Sequence, residues 1–139
     1  ITPHPGEAAR LLGRKTADIN RDRLQSAREL AAATGAVTVL KGAGSVVATP
    51  DGETYINTTG NPGMATGGSG DVLTGVIAAL SGQGLSTEAA AKAGTYLHGL
   101  AGDLAKDLMG EYGLIASDIA SMVALAIKST LDAREPMEK

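Results

Sequence analysis

A chain of 139 residues with 43% hydrophobic side chains and 19 glycines is long enough to bury roughly two-thirds of its unfolded surface around one core. It has no cysteine, which excludes disulfides, thiolate chemistry and cysteine-held zinc, and a formal charge of −3 with three tyrosines and no Phe or Trp, which excludes a basic stacking surface for nucleic acid. No apolar run is long enough to span a bilayer and no signal-peptide pattern appears, so a cytoplasmic protein with no membrane partner is expected.

In chain order, Pro5 to Leu12 reads as a short helix, with proline in its first turn, Glu7 at its positive end and Gly13 as its stop. A longer helix is expected over Arg21 to Thr34, between an Asn20 cap and Gly35, burying Leu24, Ala27, Leu30 and Ala31. Val37 to Leu40, Ser45 to Thr49 and Thr54 to Asn57 read as strands, and the turn Pro50-Asp51-Gly52-Glu53 makes the last two a hairpin. Helices follow at Asp71 to Leu80, Thr87 to Leu108 and Ser117 to Leu131, with Ser86 and Ser117 as caps and Gly82, Gly84, Gly110 and Gly113 as breaks. Residues 133–139 read as a frayed tail. The Leu- and Ala-rich stripes of the last three helices predict packing against one another and against a sheet. Without Phe or Trp the core rests on small aliphatic side chains, so the elements must approach closely.

The chemistry concentrates in Asn57 to Gly75, N-T-T-G-N-P-G-M-A-T-G-G-S-G-D-V-L-T-G. Gly67, Gly68 and Gly70 allow turns that bring backbone close to a ligand, just where a helix begins. Unpaired N–H groups there suit a phosphate, with roughly 0.3–2 kcal/mol from the helix dipole alone. Asp71 would repel that anion and so needs its own explanation. It is either a general base, taking the proton of a hydroxyl that attacks a phosphoryl group, or a capping residue of the helix.

Other segments also leave two readings open. Lys41-Gly42-Ala43-Gly44-Ser45, after the first strand, is either a nucleotide-contacting loop or a solvated lysine with ordinary turn glycines. His4-Pro5-Gly6-Glu7 is either part of a site or simple helix initiation. His98 reads as structural, Met64 as a packing residue, and Asp103, Lys106 and Asp107 as a solvated helix face. The patterns G-x-x-x-x-G-K-[ST], G-x-G-x-x-G and H-E-x-x-H are absent, which leaves no P-loop, NAD-type Rossmann turn or zinc-protease site to claim.

The run Asn57 to Gly75 resembles the anion-hole signature of the ribokinase-like superfamily, and most closely that of the ADP- or ATP-dependent NAD(P)H-hydrate dehydratases. Ile1-Thr2-Pro3-His4-Pro5-Gly6-Glu7 and Lys41-Gly42-Ala43-Gly44-Ser45 are similar to two further segments of that family, in the same order. The resemblance implies an α/β fold, a ribokinase-like three-layer α/β/α sandwich with a mostly parallel sheet, of which residues 1–139 form the C-terminal half of a single nucleotide-binding domain. It implies ADP or ATP as co-substrate over Lys41, Gly42, Ala43, Gly44 and Ser45, with the terminal phosphate on the N–H groups of Gly68, Ser69 and Gly70. It also places His4, Asn61 and Asp71 against hydrated NADH or NADPH, Asp71 as the base, and Glu7 as an indirect organiser of Mg2+. Implied partners are the missing N-terminal half and further copies in a homo-oligomer. The half domain alone is expected to be poorly stable or to self-associate. A vitamin-precursor type kinase of the same superfamily and a non-catalytic nucleotide-binding fragment are the alternatives.

Overall fold

The computed structural model describes residues 1–133; of the expected frayed tail, all but Ala133 lies outside the described residues. Helix α1 (Pro5–Leu12) starts where His4 caps it: the ring Nδ1 accepts the N–H groups of Gly6 at 3.0 Å and Glu7 at 3.1 Å. The Glu7 carboxylate returns to accept the His4 N–H at 2.7 Å, a reciprocal cap in which histidine stands where serine or threonine is usual. Gly13 ends the helix at φ 63°.

The helix expected over Arg21 to Thr34 is α3 (Arg23–Thr34), which starts two residues later, and an unexpected short helix, α2 (Thr16–Arg21), precedes it. The break is at Asp22, whose φ of −141° and ψ of 80° are not helical. Asp22, not Asn20, is the cap: its Oδ1 accepts the Gln25 N–H at 3.0 Å and its carbonyl accepts the Ser26 hydroxyl at 2.7 Å. Ala27, Leu30 and Ala31 are buried as expected, joined by Ile19 of α2, while Leu24 is only partly covered.

Three short strands, β1 (Thr38–Leu40), β2 (Val46–Ala48) and β3 (Thr54–Ile56), form an antiparallel meander in that order. The register pairs Val39 with Val47 and Val47 with Tyr55, so alternate residues face opposite sides. These strands are antiparallel because short turns join them, and a parallel pair needs a longer crossover. Parallel pairing lies at the other edge of β1. Ile1 donates from its amino group to the Val37 carbonyl at 2.8 Å and accepts the Val39 N–H at 2.8 Å, and Pro3 accepts from Lys41 at 2.9 Å.

Helices cover both faces of the sheet. Leu40, Val46 and Ala48 pack on Ala8 and Ala9 of α1, Ile19 of α2 and Leu30 of α3. On the opposite face, Val39 and Val47 meet Leu73 of α4 (Ser69–Gly82) and Ala91 of α5 (Thr87–Met109). Helix α6 (Ala116–Asp132) closes against α5 through Ile119, Ala126, Ala101 and Ala105. The result is a three-layer α/β/α arrangement. Asp118, rather than Ser117, serves the start of α6, accepting the Ile115 N–H at 3.0 Å. Among the described residues no helix is long and apolar enough to cross a membrane.

Candidate active site

The three segments singled out in the sequence converge at the edge where β1 meets residues 1–3. The Lys41 N–H is bound to Pro3, which ties the second segment to the first. Thr2 and Thr74 bring their hydroxyls within 3.2 Å, tying the first to the third, and Thr74 also donates to the Gly70 carbonyl at 3.0 Å. Lys41 joins all of them. Its Nζ is 4.0 Å from Glu7 Oε2 and so close to Gly70 that a Cβ on that residue would lie 2.9 Å away. The lysine is about three-quarters covered, with 26% of its side chain exposed. The Glu7 carboxyl is held below its ordinary range, first by the His4 N–H, against an opposing desolvation, and then by the charges of His4, Lys41 and Arg10. It is ionised at neutral pH.

Helix α4 begins at Ser69, two residues earlier than the sequence pattern predicts, because Gly68 adopts φ 88° and turns the chain into it. At its start the Asp71 N–H closes back on the Gly68 carbonyl at 3.0 Å, and the Ser69 N–H on the Thr66 carbonyl at 3.3 Å. Among the described residues, the N–H groups of Gly68 and Gly70 have no protein acceptor. The Asp71 carboxylate is exposed, makes no capping bond and pairs with no cation among the described residues. Capping is thus not what Asp71 does, although it lies in the first turn.

The other expected contacts are placed as follows. Within the loop Lys41–Ser45 the serine hydroxyl donates to the Gly42 carbonyl at 3.1 Å and faces the Gly42 N–H at 3.3 Å. Ala43 is exposed, and Gly44 turns at φ 62°. His4 spends its Nδ1 on the cap and leaves its Nε2 side outward, 3.5 Å from Glu7 Oε1. Asn61 uses its carbonyl oxygen to accept the Gly63 N–H at 3.1 Å and one amide hydrogen on Asp103 at 2.9 Å.

Asp103 corrects an expectation. It is not part of a solvated helix face: its carboxylate accepts the Gly60 N–H at 2.8 Å as well as the Asn61 amide. Helix α5 as a whole supports the loop from Asn57 to Gly70. Thr59 donates to the Tyr96 carbonyl at 2.9 Å, and the buried His98 donates from Nε2 to the Ser69 carbonyl at 2.9 Å. Met64 packs beside α5 as expected. A usable signal was present in the sequence. His98-Gly99 and Gly102-Asp103 alternate polar groups with residues lacking a side chain, as a helix does where another backbone lies against it.

The sequence of the NAD(P)H-hydrate dehydratase family matches residues 1–124. The chain is 54% identical over 129 residues to the bifunctional NAD(P)H-hydrate repair enzyme Nnr of Moorella thermoacetica, covering 93% of this chain and 24% of that one. It is 50% identical over 121 residues to the ADP-dependent (S)-NAD(P)H-hydrate dehydratase of Neisseria meningitidis, covering 86% of this chain and 41% of that one. A solved ADP/ATP-dependent NAD(P)H-hydrate dehydratase from Bacillus subtilis, crystallised with ATP and Mg2+, superimposes with a TM-score of 0.88 at 36% identity, over 92% of this chain and 47% of that one. A ribokinase-like superfamily protein from Enterococcus faecalis matches with a TM-score of 0.74 at 33% identity, over 92% of this chain and 43% of that one. The α/β/α layers are therefore those of a ribokinase-like fold, and the chain spans about half the length of these solved relatives or less. Its fold, its three converging segments and these likenesses agree, and the chain belongs to the NAD(P)H-hydrate dehydratase family.

Proposed function

We propose that the protein works in the nucleotide-dependent dehydration of hydrated NADH and NADPH. The observation that supports this most is the convergence of Lys41, Glu7 and Gly70 beside Asp71, whose carboxylate has no partner among the described residues. An ADP or ATP molecule lies over Lys41–Ser45, its terminal phosphoryl group at the N–H groups of Gly68 and Gly70 with the Lys41 ammonium alongside. Asp71 takes the proton of the ring hydroxyl as that oxygen attacks phosphorus. The bond from phosphorus to the departing nucleotide breaks, leaving a nucleotide one phosphate shorter and a phosphorylated ring. Phosphate then leaves with the carbon–oxygen electron pair, a neighbouring ring carbon gives up a proton, and the double bond of NADH or NADPH is restored. The outward side of His4 and the loop held by Asn61 face the dinucleotide.

Among the described residues no three His, Asp or Glu side chains gather into a metal cage. A magnesium ion carried on nucleotide phosphates needs only one or two carboxylates, and the ionised Glu7 would help to hold it. When bound, the ion supplies neutralisation of phosphate charge. The test is to incubate the intact protein with hydrated NADH and either ADP or ATP, following the absorbance of the regenerated ring and the release of free phosphate. Both should rise together. A stable phosphoester with no regenerated ring would instead make the protein a kinase.

A further inference from the structure

Besides Lys41, the Lys41–Ser45 loop meets a second cation, Arg23, whose partners are main-chain carbonyls. Arg23 is the first residue of α3, held at that turn by the Asp22 cap. Its side chain crosses to the end of β1, where Nη2 donates to the carbonyl of Leu40 at 3.2 Å and to that of Gly44 at 3.4 Å. The first carbonyl belongs to the residue before the loop and the second to the loop's fourth residue. Gly42, between them, sits at φ 148° and lies so close over the guanidinium that a Cβ there would come within 2.1 Å of Nη1. A side chain there would be strained by the positive φ and would push the guanidinium off its carbonyls. Arg23 forms no salt bridge among the described residues, and it is partly buried, which lowers its pKa through desolvation.

We infer that Arg23 is a positioning residue for nucleotide binding: its planar guanidinium clamps the Lys41–Ser45 loop to the residue before it and so fixes where the Lys41 ammonium and the loop backbone meet the phosphates. Planarity matters here. Both bonds leave Nη2, whose two N–H groups lie at fixed angles in the guanidinium plane, and the group keeps its charge when partly desolvated, whereas a lysine offers one compact, strongly hydrated charge with rotatable donors. Gly42 completes the device by letting the backbone rest on the guanidinium. The inference rests on the proposed role of the loop as the nucleotide's platform.

The experiment compares wild type, Arg23→Met and Arg23→Lys in the intact protein, with two readouts. The first is hydrogen exchange at Gly42 to Ser45 without ligand, which reports the clamp itself. The second is the affinity for ADP and ATP, measured by calorimetry, beside KM and kcat for the hydrated dinucleotide. Arg23→Met is expected to speed exchange in the loop and weaken nucleotide binding by about ten- to a hundredfold, the size of losing hydrogen bonds from a charged donor. The KM for the dinucleotide should stay as it was. Arg23→Lys should not restore affinity, whereas free guanidinium ion below denaturing concentration should partly rescue Arg23→Met. A variant that exchanges and binds like wild type overturns the inference alone. Equal losses in nucleotide affinity, dinucleotide KM and thermal stability would make Arg23 merely structural and also overturn it. A wild type that binds no adenine nucleotide overturns the functional proposal, and the inference with it.

Discussion

His98, buried in α5, donates from Nε2 to the carbonyl oxygen of Ser69, the first residue of α4, at 2.9 Å. The turn that presents Gly70 and Asp71 is thereby pinned from behind by a side chain that itself faces away from solvent. Burial lowers the His98 pKa from its ordinary 6.5, with the bond to Ser69 opposing the shift. A histidine whose native pKa lies below its unfolded value takes up its proton first in the unfolded chain. Its contribution to stability is thus complete above 6.5 and is lost as pH falls from there toward the lowered native value. Denaturant melts on either side of that range should show the slope in wild type and a flatter profile in His98→Gln. His98→Ala should cost about 1–3 kcal/mol at neutral pH, because the Ser69 carbonyl loses its buried donor.

The Asp71 carboxylate is exposed and bonds to nothing among the described residues. Asp71→Asn should therefore leave the melting temperature unchanged, within the ~0.5 kcal/mol typical of surface substitutions. Turnover should fall by roughly 10²–10⁴, the usual share of a general base. Nucleotide affinity should hold or tighten, since a carboxylate beside a phosphate is removed. Parallel losses of affinity and rate, measured by calorimetry and steady-state kinetics, would assign Asp71 to structure.

Two glycines of α5 distinguish backbone contact from side-chain contact. A Cβ on Gly99 would lie 2.1 Å from the Thr59 hydroxyl and 2.8 Å from Thr59 main-chain atoms, whereas one on Gly102 would meet Met64, at 2.2 Å from its sulfur. Methionine can swing aside and a backbone cannot. Thermal unfolding should show Gly99→Ala losing about 1–3 kcal/mol or more, with Gly102→Ala the milder of the two.

Asp103 accepts two N–H donors, from Gly60 at 2.8 Å and Asn61 at 2.9 Å. Asp103→Asn keeps the shape but turns one acceptor into a donor facing a donor. The expected loss is about 1.5–3 kcal/mol, the range for hydrogen bonds to a charged group. Hydrogen exchange should quicken at Gly60 to Met64. Asp103→Ala should exchange at least as fast; protection equal to wild type in both would remove Asp103 from its role as anchor.

Much of the fold was legible because its signals are local. Pro5, Glu7 and Gly13 mark α1, the short apolar runs around Val39 and Val47 mark buried strands, and Pro50 to Glu53 marks the hairpin turn. Local reading failed where two local signals competed. Asn20 and Asp22 are both good caps; Asp22 caps α3, and Ile19, on the short helix before it, packs against α3. The expected parallel sheet is met only by the pairing of residues 1–3 with β1, since the three strands joined by short turns have no room for a crossover.

The sequence by itself determined the residue types proposed to meet phosphate and their order: a histidine–glutamate segment, a lysine–glycine loop, and a glycine turn ending in Asp71. Backbone freedom at glycine and the dipole of a helix start are properties of neighbouring residues, so a string of letters can express them. Only the tertiary structure decided what holds these parts in place. Arg23 reaches Gly44 across 21 positions, His98 reaches Ser69 across 29, and Asp103 reaches Gly60 across 43. Each contact depends on how α3 and α5 seat against the sheet and loops, and seating follows from buried shape, which no local pattern encodes.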